Sequence, residues 1–207
     1  MSIVLVGSTS GSVTLQEPAV AGTTVLDLPA TSGTILTTAS TGISASNITT
    51  GTLPYAQLPV GTVLQVVSTL KNDTFSTTST SFVDVTGLSL SITPRFATSK
   101  ILILVSTWLG VASSARTGVR LMRDSTAIGV GTGGTYNVSG YNADWASGAG
   151  DNLGCTSVSF LDSPATTSAT TYKIQQFVTT GTGYVNRRGN DTTFVTGSTI
   201  TALEIDA

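Results

Sequence analysis

The chain has no histidine, which removes His-based triads, His metal sites and the commonest general base. Its one cysteine, Cys155, cannot by itself make a thiolate metal site or an intrachain disulfide. It lies in an alternating apolar run and reads as a small buried strand residue. Two carboxylate pairs have spacings that bear on glycoside cleavage, Glu204 with Asp206 and Asp144 with Asp151. Glu204 and Asp206 are two apart on the last strand, hence on one face. Leu203 and Ile205 alternate with them and are expected to face inward, leaving both acids outward and solvated. Gly131-Thr-Gly-Gly134 and Gly181-Thr-Gly183 are followed by neither Lys-Ser/Thr nor a helix start, so they are not phosphate loops. The expectation is a protein that is not an enzyme and holds no metal or cofactor.

What remains suits contact. Residues 129–154 are Gly-rich and carry Tyr136, Tyr141, Asn142, Asp144 and Trp145; residues 181–191 carry Tyr184, Asn186, Arg187, Arg188 and Asn190. Long loops in a compact domain are commonly functional. Aromatic and Arg side chains on them suit carbohydrate stacking or protein contact. The candidate recognition residues are Tyr136, Tyr141, Asp144, Trp145, Tyr184, Arg187 and Arg188. The plainer alternative is that these loops pack between subunits. Net charge is −2 without a basic tract, which speaks against nucleic-acid binding. No run of eighteen or more apolar residues marks a membrane span. Met1–Gly7 lacks a basic segment and a long apolar core, so a secretory signal is not expected. The sequons at Asn47, Asn72, Asn137 and Asn190 then read as products of Ser/Thr richness.

The elements that position these side chains are expected to be strands. Only 10% of residues are charged, against about 25% in ordinary domains, while Ser and Thr make up roughly three residues in ten. Thr favours strands, and Ser and Gly favour turns. So little charge, with a mean hydropathy of +0.30, implies a surface covered largely by copies of itself or by partners.

Glycines at 11, 22, 33, 42, 51 and 61 mark a repeat of nine to eleven residues. Each unit reads as a turn glycine, hydroxyl residues and a short strand, as in Gly11-Ser-Val-Thr-Leu15 and Gly22-Thr-Thr-Val-Leu26. Two or three apolar side chains, at roughly 1.5–3 kcal/mol each, do not offset about 1–2 kcal/mol of backbone entropy for each of some ten residues. The segment must therefore bury its apolar face elsewhere, either in a solenoid or, as we favour, in an intertwined multimer. Between Pro54 and Pro59 a single helical turn is expected. From Gly61 the strands lengthen: 63–70, 81–85, 88–93, 100–109, 117–123, 126–131, 155–161, 172–179, 192–195 and 199–205. Their number implies a two-sheet sandwich of jelly-roll type. Ile101–Val105 is apolar on both faces, so it should be a central strand, covered by the core on one side and a neighbouring subunit on the other. Asp124-Ser125 should turn a hairpin.

The stretch Gly11–Thr38 resembles the repeat of fibre proteins of tailed bacteriophages, especially those of aquatic bacteria. Ile48-Thr-Thr-Gly-Thr-Leu-Pro-Tyr-Ala-Gln-Leu-Pro59 is similar to a junction in the same proteins. Ser91-Ile-Thr-Pro94, Ser99-Lys-Ile-Leu-Ile103 and Ile200-Thr-Ala-Leu-Glu-Ile205 look like their C-terminal head. The resemblance covers most of the chain and implies a homotrimeric virion fibre. Residues 1–60 would be attachment segment and β shaft, and 61–207 a β-sandwich head of tumour-necrosis-factor-like type. It also implies assembly in the host bacterial cytoplasm and contact with a host surface polysaccharide or protein. Long fibres of this kind begin with a sizeable adaptor, whereas this chain starts its repeats almost at once. Docking to tail, baseplate or capsid is therefore expected through Ile3, Val4, Leu5 and Val6 or the shaft itself. The competing functions are a capsid decoration, head fibre or cement protein without a receptor, and a polysaccharide-degrading tailspike.

Overall fold

The computed structural model describes residues 3–6, 12–15, 55–112, 115–143 and 150–207. The chain forms two compact units, Met1–Thr52 and Leu53–Ala207. In the first, β1 (Ile3–Val6) pairs antiparallel with β2 (Ser12–Leu15). The register sets apolar residues opposite one another, Ile3 with Leu15 and Leu5 with Val13. The expected strand after Gly11 is β2, and the four docking candidates make up β1. The later glycine repeats lie outside the described residues. A two-stranded hairpin has too little to bury to be stable alone.

The second unit opens with a single 3-10 turn, Tyr55–Gln57, closed by Leu58 N donating to Tyr55 O at 3.0 Å. It lies where Pro54 and Pro59 set it. Its strands are β3 (Val63–Lys71), β4 (Phe75–Thr77), β5 (Val83–Ile92), β6 (Lys100–Val111), β7 (Arg116–Arg123), β8 (Thr126–Ile128), β9 (Gly140–Ala143), β10 (Leu153–Asp162), β11 (Thr170–Val178), β12 (Gly183–Val185) and β13 (Ser198–Ile205). All pairings are antiparallel. One sheet runs β3-β13-β6-β10, with β12 continuing along β6 beyond the end of β13 and β4 outside β12. The other runs β5-β11-β7, with β8 and β9 sharing the far edge of β7. The chain crosses between sheets from β4 to β5, β5 to β6, β6 to β7, β9 to β10, β10 to β11 and β11 to β12, which is the jelly-roll winding.

Alternation along each strand builds the core. Ile101, Ile103, Val105 and Leu109 of β6, with Ile200 and Ala202 of β13, face Leu88, Leu90 and Ile92 of β5 and Tyr172 and Ile174 of β11. Each such aliphatic contributes roughly 1.5–3 kcal/mol on burial, so this unit has the core that the N-terminal repeats lack. A polar clamp joins the two sheets at one end. Tyr172 OH donates to Asp162 Oδ2 at 2.7 Å, and Arg123 Nη1 donates to both carboxylate oxygens at 2.8 and 3.0 Å. Burial, and then the adjacent Asp162 carboxylate, push the Tyr172 hydroxyl far above its ordinary pKa of 10.0.

Several expectations are corrected. The two strands expected at 81–85 and 88–93 are one strand, β5. The apparent break is a bulge at Gly87, where φ is 81° and the register with β11 shifts. Residues 192–195 form no strand, only an isolated bridge between Val195 and Arg187. Asp124, at φ 50°, turns the β7–β8 hairpin as its sequence implied.

Candidate functional site

The outward side of the β3-β13-β6-β10 sheet has an unusual composition. Register places Val66, Leu203, Leu102 and Leu161 in one row across all four strands. The next row is Ser68, Thr201, Leu104 and Ser159, and the one after is Leu70, Thr199, Ser106 and Ser157. Val66 is 58% exposed, Leu161 54% and Leu104 41%. A shallow depression of about 480 Å³ lies between Leu104, Ser106, Ser157, Ser159, Thr199 and Thr201. The sole charged residue on this grid is Lys100, at one corner, where its ammonium donates to Ser163 Oγ at 2.9 Å. With strands about 4.8 Å apart and about 6.6 Å between same-face residues, the grid covers on the order of 500 Å². Half of the twelve residues in these three rows are apolar and half carry hydroxyls.

This face reverses two expectations. Leu203 and Ile205 face outward and Glu204 inward, because β13 follows the parity of Ile200 and Ala202, which fill the core. Glu204 is buried; it accepts from Gln65 Nε2 at 2.5 Å and Arg95 N at 2.6 Å. It is a structural anchor for the β5–β6 connection, and Asp206 lies beyond the strand end. Cys155, expected inside, is exposed on the outward side beside Trp108, with Sγ 3.4 Å from Ser106 Oγ.

Burial raises the pKa of the Glu204 carboxyl, but the hydrogen bonds from Gln65 and the Arg95 backbone outweigh it and hold the group below its ordinary 4.5. A depressed folded value means stability that is present above the unfolded value and lost as pH falls through the folded one. Glu204→Gln should therefore cost about 1–3 kcal/mol at pH 7. Below the ordinary 4.5 it should lose stability with acid less steeply than wild type. Thermal melts from pH 7 to 3 check this, and parallel curves would refute it.

The candidate recognition residues divide among three places. Tyr136 stacks on Phe177 (ring centroids 4.3 Å apart, planes 20° apart) over the outward side of the second sheet, and remains 46% exposed. Tyr141, on β9 opposite Gly118, is also exposed. Tyr184 lies on β12 opposite Gly110 of β6, and Arg187 and Arg188 follow it and pack against Gly110. The Arg187 guanidinium sits 4.3 Å from the Tyr184 ring centre and donates to Arg188 O at 3.0 Å. Arg188 is committed to two carboxylates. It grips Asp191 through Nε and Nη2, both at 2.7 Å, and lies 3.1 Å from Asp151. The two Gly-rich loops thus meet, but through a clamp that consumes the charge of Arg188. The same interaction holds the Asp191 carboxyl far below its ordinary value. Asp144 and Trp145 lie outside the described residues.

No protein-family model matches the chain, and no curated protein sequence does. Among solved structures, similarity is found to that of infectious bursal disease virus, Gx strain, with 15% identity, 69% of this chain covered and a TM-score of 0.38. It is also found to the VP2 subviral particle of infectious bursal disease virus, with 14% identity, 69% coverage and a TM-score of 0.37. This chain spans 38% and 37% of the lengths of those chains. The strand order, not this likeness, defines the fold.

Proposed function

We propose that the chain is a virion structural protein that self-assembles through the uncharged side of its β3-β13-β6-β10 sheet, as the head of a short bacteriophage fibre. The single observation that carries the reading is that sheet face: four strands wide, apolar and hydroxyl-bearing, without a carboxylate. A second copy of the chain is its fitting occupant. Copies of this face turned toward a shared axis bring no carboxylates together, and the Ser/Thr grid offers donors and acceptors to its neighbours. A partner of opposite charge would find almost nothing to pair with. The threefold multiplicity follows from the resemblance to phage fibres, as do the roles of residues 1–60 as attachment segment and shaft. Docking to other virion proteins is assigned to Ile3–Val6, and host contact to the loops of the head.

Leu104→Glu tests the reading, since it sets a carboxylate in the middle of the face. Removing that charge from water on assembly costs several kcal/mol, enough to weaken association about a hundred-fold or more. Native mass spectrometry at micromolar concentration should give three times the 21.0 kDa chain mass for wild type and the chain mass for the variant. A monomeric wild type would overturn the reading. Imaging of labelled virions should place the protein on the tail. A location on the capsid shell would support the decoration reading instead.

A further inference from the structure

The second sheet carries a different kind of surface. Its outward side has a polar row across three strands, Asp84 on β5, Gln175 on β11 and Arg120 on β7, set opposite one another by register. Gln175 Nε2 donates to Asp84 Oδ1 at 2.7 Å, and Lys173 Nζ holds the other oxygen at 2.7 Å. This fixes the Gln175 amide with its oxygen toward Arg120, which donates to it from Nε at 2.9 Å and Nη2 at 2.7 Å. The guanidinium lies over the Phe82 ring, 4.0 Å from its centre. Two of its five N–H groups are thus used, leaving three without an acceptor among the described residues. No carboxylate pairs with it there, unlike Arg123 and Arg188. Burial lowers its pKa, as expected for a cation partly withdrawn from water without an anion.

Arg120 forms the floor of a depression of about 490 Å³. One wall is Thr80 and Ser81, and the other is Thr135, Tyr136 and Asn137. Phe177 supports both, with Phe82 at 4.8 Å on one side and Tyr136 on the other. Gly118 makes room for this arrangement. A Cβ there would lie 2.5 Å from Phe177 Cε1 and 2.8 Å from Val138 Cγ1. The depression therefore combines one unpaired, oriented cation, three hydroxyls, an amide and an exposed aromatic face, and no acid lines it.

We infer that this depression binds an acidic sugar unit, a uronate or sialate residue of a surface polysaccharide. The ligand carboxylate would take the vacant N–H groups of Arg120. Its hydroxyls would meet Thr80, Ser81, Thr135 and Asn137, and its C–H face would lie on Tyr136. A guanidinium pairs bidentately with a carboxylate. The hydroxyl walls and aromatic face suit a sugar rather than an apolar acid. The inference rests on the host-contact part of the proposed function and adds Arg120 and a ligand class to it.

The assembled full-length protein should be titrated calorimetrically with five probes: oligogalacturonate, oligosialate, the carboxyl-reduced form of each, and free galacturonate. Binding of at least one acidic oligomer is expected, with its carboxyl-reduced form binding about ten- to hundred-fold more weakly. Arg120→Gln should weaken binding by a similar factor, and Tyr136→Ala should weaken it too, at unchanged oligomeric state. Oligomers binding more tightly than free galacturonate would identify the polymer as the source; equal affinity would identify the free acid. Absence of binding to every acidic probe, equal binding of the reduced forms, or an Arg120→Gln variant that binds like wild type would each overturn the inference. Should Arg120→Gln fail to fold, Tyr136→Ala with the reduced probes decides. A chain that still assembles but binds no probe refutes the sugar site alone, whereas a monomer refutes the fibre reading.

Discussion

Gly110→Ala is expected to lower the urea midpoint of the C-terminal unit sharply. Gly110 lies on β6, held on one edge by Leu153 of β10 and on the other by Tyr184 of β12, so its backbone has nowhere to retreat. Its outward side is covered by the segment after β12. A Cβ there would lie 2.0 Å from Arg187 O, 2.9 Å from Arg188 Cα and 3.0 Å from Arg187 C. All three are backbone atoms. That segment is fixed in turn by Gly189 N donating to Gly150 O at 2.7 Å and by the carboxylates around Arg188. Relief requires breaking one of these attachments, which sets the cost at about 3 kcal/mol, the upper end for overpacking. Gly189→Ala makes the reciprocal clash, 2.2 Å from Val111 O, and should behave alike. Gly131→Ala is the control: nothing lies within 4 Å of its added carbon, and a change within about 0.5 kcal/mol is expected. If Gly110→Ala and Gly131→Ala melted together in urea, the close approach would not be holding the loop.

Period-two alternation made the long strands legible. β6, β7, β10, β11 and β13 are near the positions their residues implied, because each carries a core stripe long enough to be read alone. β4, β9 and β12, of three or four residues, were not legible, since their pairing comes from distant chain and not from their own pattern. The larger misreading was of facing. At β13 the rule that apolar residues go inward assigned Leu203 and Ile205 to the core. Ile200 and Ala202 already fix the parity the other way, and the rule fails because this sheet is apolar on both sides. The same cause put Cys155 inside. That error is informative, since it occurs on the face proposed for assembly. Arg187 and Arg188 were legible as charges in a Gly-rich loop, but their partners Tyr184, Asp151 and Asp191 were not. Arg120 was overlooked because it sits inside an apolar strand. The available signal was its outward parity between Val119 and Leu121, next to Gly118.

Asn186→Ala should be comparably severe, for a different reason. The residue is fully buried at φ 67°, a left-handed conformation that Asn tolerates and Ala resists by about 1 kcal/mol or more. Its Nδ2 donates to Lys71 O and Asp73 O, both at 2.8 Å, across the β3–β4 turn. Its Oδ1 accepts from Ser198 Oγ at 2.5 Å, and its backbone N donates to Trp108 O at 2.9 Å. Alanine leaves the buried Lys71 carbonyl and Ser198 hydroxyl, and the part-buried Asp73 carbonyl, without these partners, so a total loss of about 3–5 kcal/mol is expected. Asn186→Asp separates the donor from the shape. It keeps the size and the Ser198 contact but turns the Nδ2 donor into an acceptor facing two carbonyl oxygens. At pH 7 it should be at least as unstable as the alanine variant. Its carboxyl, disfavoured as an anion, would have a folded pKa above the unfolded value of about 3.9. The protonated form can donate, so this variant should recover stability relative to Asn186→Ala as pH falls toward 4, the reverse of the acid response expected from Glu204. Melts of the two variants at pH 7 and pH 4.5 decide it. An aspartate variant as stable as wild type at pH 7 would mean that the backbone, not this side chain, holds the segment from which Arg187 and Arg188 extend.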